Sequence, residues 1–251
     1  MSKKACLGLI FGLSLLFVGT TASADHSWGP YHWSASSSPV NLIIGDNVST
    51  IWDNHLRIAE SDWDQSEVLD LSISAGLSNV KNCKPVSGRI EVCNSKYGNN
   101  GWLGIAQIWV NGNHIVQATT RVNDTYFARS YYNTPAWRQF VICQEIGHAF
   151  GLGHIDEDFY NPNLGSCMDY TNTPNDNQHP NSHDFEELAS IYSHFDSFAT
   201  ILSPINNNGK NNVEESDWGE AVHQSQNGRT SRFEKGLGFG RKMFTFVIWA
   251  D

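Results

Sequence analysis

Apolar and polar residues follow one another in short blocks that predict strands and helices over residues 40–196. Short apolar or alternating runs between turn residues favour strands. Such runs occur at 40–44, 68–75, 89–94, 103–110 and 114–122. The pair Asn111-Gly112 between the last two runs strongly favours a tight hairpin. The pattern therefore predicts five strands, of which the last two are joined directly.

Three longer segments have apolar residues at helical spacing. The first follows the first strand, and Asn47 or Ser49 is expected to be its N-cap. The second and longest begins at Pro135, with Thr134 as its N-cap. The third covers 184–195 and places its apolar residues on one face. The predicted order is therefore strand, helix, four strands and two helices.

The composition changes after residue 200, which indicates a domain at 25–200 and an extension at 201–251. Residues 203–213 are rich in asparagine and predict a linker or surface loop. Two further strands are predicted at 230–235 and 241–249, and the second is too apolar to stay exposed. We expect the extension either to add a hairpin to the domain or to serve in secretion or partner binding.

Residues 1–24 have the pattern of a cleaved secretory signal peptide. Lys3 and Lys4 precede an apolar run at 6–18, and Ala22-Ser23-Ala24 has the form of a cleavage site. The run is shorter than the roughly 20 residues that span a bilayer, which favours cleavage over a membrane anchor. The net charge of −10 argues against nucleic acid or an anionic membrane surface as a partner. We expect a secreted protein.

The most informative group of polar residues lies at the end of the second predicted helix. Residues four apart share a helix face, so Gln144 and His148 point the same way, with Glu145 beside them. Gly151 can adopt the backbone angles that end a helix, which would return His154 toward the same point. Two imidazoles, a carboxylate and an amide then converge, as in a zinc site with an adjacent general base.

The stretch from Gln144 to His154 resembles the signature H-E-x-x-H-x-x-G-x-x-H of the metzincin zinc peptidases, except that Gln144 replaces a histidine. The sequence Ser-Cys-Met-Asp-Tyr at 166–170 resembles the Met-turn that lies beneath the metal in that family. The two motifs have the family's order and a plausible separation. The predicted order of strands and helices is also similar to that of the metzincin catalytic domain over most of 40–196.

This resemblance implies an α+β, metzincin-like zincin fold. It would contain a twisted mixed five-stranded sheet, an active-site helix, a Met-turn and a C-terminal helix, to which a C-terminal β-hairpin is added. An edge strand would border the substrate cleft and accept a peptide as an additional strand. The candidates for this edge are the strand at 103–110 and the return strand that ends at Asn123-Asp124.

The resemblance also implies the roles of the site residues. His148 and His154 would bind one catalytic Zn²⁺, which lowers the pKa of a bound water into the neutral range. Glu145 would accept the proton of that water and pass it to the leaving amine. Met168 would pack below the ligands without binding the metal. Tyr170 would either reach the metal or the developing oxyanion, or be only a half-buried aromatic residue.

The departure at Gln144 leaves the third ligand open. Its amide oxygen can coordinate zinc, although it is a weaker donor than imidazole. Alternatively, another residue replaces it, or the site binds zinc weakly and the protein is not a protease. The candidates for replacement are Asp156, His114, His179 and His183.

Other histidines and oxygen donors carry weaker signals. The histidines at 114, 179, 183 and 194 are expected to be surface residues. In the acidic run after His154, Asp156 would orient a ligating histidine or, more simply, be solvated. Ca²⁺ is conceivable but unsupported, because no recognised calcium spacing joins its candidate ligands Asn161, Asn163, Asp169 and Asp176.

Four cysteines remain once the signal has been removed, and they allow three pairings. Cys83 and Cys93 flank a turn, so we pair them. A bridge between Cys143 and Cys167 would tie the active-site helix to the Met-turn. A cysteine metal site is less favoured because no C-x-x-C pair is present.

The sequence thus predicts a secreted, monomeric zinc-dependent metalloendopeptidase that acts on peptides or proteins through a metal-activated water, with Glu145 as general base. It predicts no nucleic-acid partner and no membrane attachment after signal cleavage. The alternative is a secreted, non-catalytic protein that keeps the fold and binds peptide or matrix in its cleft. Gln144 is the residue that favours this alternative.

Overall fold

The computed structural model describes residues 26–196, 217–225 and 228–250. The predicted signal peptide and the predicted linker at 203–213 lie outside these residues. The strands are β1 (His32–Trp33), β2 (Val40–Asn47), β3 (Leu69–Ala75), β4 (Arg89–Ser95), β5 (Trp102–Asn111), β6 (His114–Asn123), β7 (Glu220–Gln224), β8 (Thr230–Gly238) and β9 (Arg241–Trp249). The helices are α1 (Asp53–Trp63), α2 (Asp124–Phe127), α3 (Pro135–His148) and α4 (Ser182–Ile191), with a 3₁₀ turn at Pro174–Asp176.

One mixed sheet contains all nine of these strands. Its order is β3-β2-β4-β6-β5-β9-β8-β7, and β1 pairs in parallel with the first residues of β6. Strands β3, β2, β4 and β6 are parallel neighbours, whereas β5, β9, β8 and β7 add to β6 in antiparallel pairs. The α+β class is therefore confirmed at the level of a large mixed sheet with few helices. The five predicted strands are present, and further strands extend the sheet beyond them.

Neither strand that we expected at the sheet edge lies there. Strand β5 lies between β6 and β9, and β6 lies between β4 and β5. The physical reason is that β9 pairs with β5 along its length, from Trp249 opposite Trp102 to Arg241 opposite Asn111. Alternating side chains of β9 also enter the main core, as its apolar composition requires. The edge prediction is wrong because the C-terminal chain occupies that position.

The helix boundaries agree only in part with the predictions. The third helix spans Ser182–Ile191 and not 184–195, because Asn181 caps it two residues earlier and it ends at Ile191. Thr134 accepts a hydrogen bond from the backbone N–H of Trp137 at 3.2 Å, which confirms it as the N-cap of α3. Helix α1 instead follows Trp52 without a side-chain cap, so both caps expected for it are wrong. The side chain of Asn47 is bonded to Glu91 and that of Ser49 to Asn94.

The main core lies where helices α1 and α3 pack together beside the sheet. The indole of Trp63, at the end of α1, donates a hydrogen bond to the carbonyl oxygen of Cys143 on α3 at 3.1 Å. The predicted disulfides Cys83–Cys93 and Cys143–Cys167 are both present. Among the described residues, no helix combines the length and apolar character needed to cross a membrane.

Candidate metal and catalytic site

Helix α3 and the turn after it bring two histidines together. The chain reverses at Gly151, whose φ of +106° suits glycine and disfavours other residues. A Cβ at this position would also lie 2.7 Å from the carbonyl oxygen of Tyr31. The reversal places the ring of His154 with its centroid 4.6 Å from that of His148, at an angle of 86°.

Backbone and carboxylate oxygens fix the orientation of both imidazoles. Nδ1 of His148 lies 2.8 Å from the carbonyl oxygen of Leu152, and Nδ1 of His154 lies 2.5 Å from Oε1 of Glu157. A proton on each Nδ1 satisfies these oxygens and leaves the lone pair on Nε2. Burial, with an added contribution from His154, lowers the pKa of His148 well below its usual value, so its ring is neutral. Nε2 of His154 is buried without a protein hydrogen-bond partner.

Gln144 presents two further polar atoms without protein partners. Gln144 and Glu145 are both fully buried, but only Glu145 has backbone N–H groups, those of Ala106 and Ile248, directed at its side chain. The side-chain oxygen and nitrogen of Gln144 have no hydrogen-bond partner among the described residues. Leaving such atoms unpaired costs about 1–3 kcal/mol each, so a cluster of them calls for a bound group. Gln144 and the two imidazoles offer the oxygen and nitrogen atoms that Zn²⁺ accepts as ligands.

Glu145 lies in an apolar environment beside two strands. A Cβ added to Gly104 of β5 would lie 2.6 Å from Oε1 of Glu145, so only glycine permits this approach. Burial raises the pKa of Glu145 well above its usual value, and the backbone N–H groups of Ala106 and Ile248 oppose this rise. The carboxyl group is therefore positioned between β5 and β9.

Met168 lies beneath helix α3. A Cβ added to Gly147 would lie 2.5 Å from Sδ of Met168 and 2.7 Å from Cζ2 of Trp63, so glycine is needed for this packing. The turn that carries Met168 is fixed by the Cys143–Cys167 bridge. The Met168 carbonyl oxygen also accepts a hydrogen bond from the backbone N–H of Ile155 at 2.9 Å.

Tyr170 is fully buried, not half-buried. Its ring centroid lies 4.4 Å from that of His154. Its hydroxyl donates a hydrogen bond to the carbonyl oxygen of Val247 at 3.2 Å. Burial, with smaller contributions from Glu157 and Glu145, raises its pKa well above the usual value, so the hydroxyl keeps its proton.

The acidic run after His154 contains a contact that the sequence analysis did not identify. Glu157, not Asp156, lies against His154, and its carboxylate also accepts a hydrogen bond from the hydroxyl of Ser231 at 3.0 Å. Burial alone would raise the pKa of Glu157, but His154, His223 and Ser231 outweigh it and lower the pKa to about 2. Because Ser231 and His223 come from β8 and β7, no spacing near His154 indicated this contact.

Strand β9 covers the site. The ring of Phe246 stacks on His148 with centroids 4.2 Å apart and an interplanar angle of 17°. The next residue, Val247, accepts the hydrogen bond from Tyr170. A cavity of about 240 Å³ is lined by Phe246 together with His154, Glu157 and Arg232.

The residues considered as replacements for Gln144 make contacts of their own. Nε2 of His114 lies 3.0 Å from Asp196, and Nδ1 of His179 lies 2.6 Å from Asp62. The ring of His183 stacks on another histidine at 4.8 Å. Asp156 accepts a hydrogen bond from the backbone N–H of Asp158. Gln144 therefore remains the candidate third ligand on helix α3.

Among the Ca²⁺ candidates, Asp169 is buried and accepts hydrogen bonds from the backbone of Leu164 and the side chain of Asn177, both at 2.8 Å. Asn163 donates to the carbonyl oxygen of Thr173. These bonds fix the loop and add no support for Ca²⁺.

Comparison of the sequence with protein-family models finds no match, and a search of curated proteins finds none either. The functional assignment therefore rests on the residues and their geometry.

Proposed function

We propose that this protein is a secreted, zinc-dependent metallopeptidase of metzincin type whose cleft is closed, in this conformation, by its own strand β9. The observation that carries the proposal is the side chain of Gln144 and Nε2 of His154, which are buried without a hydrogen-bond partner among the described residues, next to the oriented ring of His148 and the buried carboxylate of Glu145. The two disulfides suit an oxidising compartment outside the cytosol.

His148 and His154 would hold the zinc through Nε2, and Gln144 would add its amide oxygen. The metal would supply Lewis-acid chemistry and lower the pKa of water into the neutral range. Glu145 follows Gln144 directly in the sequence and would accept a proton from the attacking water and return it to the leaving amine. The oxygens of Leu152 and Glu157 would keep the two imidazoles oriented during the reaction.

Strand β9 supports the assignment of the substrate position. It lies extended and antiparallel to β5, as a peptide added to a sheet edge would lie. The Val247 carbonyl oxygen receives a hydrogen bond from Tyr170, and the backbone N–H of Ile248 acts on Glu145. A substrate carbonyl in the place of Val247 would receive the same hydrogen bond as charge develops on its oxygen. Tyr170 and Glu145 would then act on one peptide.

The second candidate is a non-catalytic peptide-binding protein. Two observations favour it: the neutral amide of Gln144 replaces an imidazole, and a strand of the chain itself already fills the β5 edge. In that case the site would hold an extended peptide after β9 moves, without hydrolysis.

A peptidase assay separates the two candidates. Zinc-loaded full chain would be incubated with casein and with a mixture of fluorogenic peptides, beside the isosteric variant Glu145→Gln. Because a general base contributes about 10²–10⁴-fold in rate, we expect cleavage by the native chain and at least a hundredfold loss in the variant. Equal cleavage by both proteins would remove Glu145 from the mechanism and contradict the proposal.

Hydrogen exchange at β9 adds a second readout. In the peptidase, we expect slow exchange of the amides of β9 in the free protein and faster exchange when the Glu145→Gln variant binds a peptide. Binding that opens β9, without cleavage by the native chain, would support the non-catalytic candidate. Cleavage with β9 fully protected would show that the substrate enters elsewhere.

A further inference from the structure

A second group of candidate metal ligands lies apart from those on helix α3. His32 belongs to β1, His114 is the first residue of β6, and His194 and Asp196 follow helix α4. One ligand atom each from His32, His114 and Asp196 lies within 4.8 Å of the others. His194 adds a third imidazole against this group.

Three of these residues, His32, His114 and Asp196, have ligand atoms at separations close to those around one zinc ion, and His194 lies just outside that group. Tetrahedral zinc with bonds of about 2.0–2.1 Å places its ligand atoms about 3.3–3.4 Å from one another. Nε2 of His32 lies 3.3 Å from Nε2 of His194 and 3.5 Å from Oδ1 of Asp196. Nε2 of His114 lies 3.0 Å from Oδ1 of Asp196, and Nε2 of His194 lies 3.9 Å from the same oxygen. All three imidazoles turn Nε2 toward the carboxylate.

The surrounding backbone orients these side chains. Nδ1 of His32 lies 2.9 Å from the carbonyl oxygen of Pro30, so a proton there leaves the lone pair on Nε2. The backbone N–H of Ala35 donates to Oδ2 of Asp196 at 2.8 Å. The side chains of His32 and Asp196 are only 7% and 12% exposed, whereas that of His194 is 52% exposed and can adjust to complete the coordination.

We propose that His32, His114, His194 and Asp196 form a structural Zn²⁺ site separate from the site on helix α3. Three neutral imidazoles and one carboxylate are a ligand set that zinc prefers, and four protein ligands leave no open position for a substrate. The metal would tie together the N-terminal segment, the β5–β6 hairpin and the chain after α4. Through the N-terminal segment it would also support Trp28, whose indole donates to the carbonyl oxygen of His148 at 3.0 Å.

The competing interpretation is a metal-free cluster of ion pairs. One carboxylate would then serve three histidines, and the close Nε2 atoms of His32 and His194 would share one proton. Neither the shared carboxylate nor the shared proton requires the nitrogen and oxygen atoms to lie at the separations found between zinc ligands. The two interpretations differ in whether the cluster retains zinc.

Zinc content of substituted full-length proteins tests the site. The two less buried ligands give the variants His114→Ala and His194→Ala, and His179→Ala is the matched control because it removes an exposed histidine that pairs with Asp62. After dialysis we expect the zinc content of the native protein and of the control to exceed that of His114→Ala by one ion per chain. We expect His194→Ala to bind zinc more than about tenfold less tightly.

Cobalt gives an independent readout of the same site. Co²⁺ in four-coordinate geometry gives strong visible absorption, which the control should keep and His114→Ala should lose in part. Equal zinc content in the native protein, His114→Ala and His194→Ala would overturn the inference, whatever the absolute amount. Because the Glu145→Gln variant leaves all four residues intact, loss of peptidase activity there does not affect this result.

Discussion

The two candidate metal regions differ in how the chain assembles them. On helix α3 and the turns that follow, the site residues come from 144–170, and helix periodicity with one glycine turn brings them together. At the second region, the pairing of β1 with β6 places His32 beside His114, and Asp196, 164 residues from His32, is held by the backbone N–H of Ala35. The first region is buried in the core, and the second lies near the surface. A local site is therefore visible in the sequence, whereas a site built from distant segments becomes visible only in the fold.

The largest expected effect tests whether the side chains of β9 contribute to the stability of the buried region. Phe246 is 2% exposed and stacks on His148, while Phe239, in the turn between β8 and β9, is 96% exposed. We expect Phe246→Ala to lower the free energy of unfolding by about 3–5 kcal/mol. Phe239→Ala, the matched control in the same hairpin, should change it by less than about 0.5 kcal/mol. Urea unfolding measures both.

Similar stabilities for the two phenylalanine variants would mean that β9 rests on the domain without contributing to its core. The closed cleft would then be a weakly held arrangement, and the contrast between a buried and a peripheral region would fail.

A smaller effect is expected beneath helix α3. Alanine favours helix over glycine by about 1 kcal/mol, but a Cβ at Gly147 would meet Met168 and Trp63 at less than 3 Å. We expect overpacking to dominate, so that Gly147→Ala lowers the free energy of unfolding by about 1–3 kcal/mol. Gly236→Ala in β8 meets open space and is the matched control. An increase in the stability of Gly147→Ala would mean that the turn carrying Met168 shifts at little energetic cost to accommodate the added Cβ.

The residues explain which parts of the fold were predictable. The N-cap prediction for Thr134 was correct because a hydroxyl directly before Pro135 has few roles other than capping the helix. The Cys83–Cys93 pair was predicted from a turn, and the Cys143–Cys167 pair from the resemblance. Asn47 and Ser49 are residue types that cap helices equally well. Their side chains instead form tertiary hydrogen bonds, Asn47 with Glu91 and Ser49 with Asn94. A cap signal is therefore reliable only where no distant partner competes for the side chain.

The site shows the same division. His148 ends α3 and His154 follows one glycine turn, so the approach of their two rings was predictable from spacing. The contact of Glu157 with Ser231 and the position of β9 on β5 depend on how the C-terminal chain returns to the sheet. The edge of β5 therefore could not be assigned, because strand pairing across more than a hundred residues leaves no local pattern.

The smallest effect compares the start of each helix that leads to a candidate site. Thr134 caps α3, and Asn181 forms a capping box at α4. The Asn181 side chain accepts from the backbone N–H of Asp184 at 3.4 Å, and the Asp184 carboxylate accepts from the backbone N–H of Asn181 at 2.7 Å. We expect Thr134→Ala and Asn181→Ala each to lower the free energy of unfolding by about 1 kcal/mol. The two caps share no partner, so the double variant should lose the sum to within about 0.5 kcal/mol.

A departure from additivity in the cap variants would mean that the two regions are energetically coupled. The available route is short: Asp184 also accepts a hydrogen bond from Ser166 at 2.6 Å, and the neighbouring Cys167 is bridged to α3. Coupling above about 1 kcal/mol in urea unfolding would mean that strain passes along this route, and that the peripheral cluster and the buried site form one cooperative unit. Additive losses would mean that each helix holds its own site.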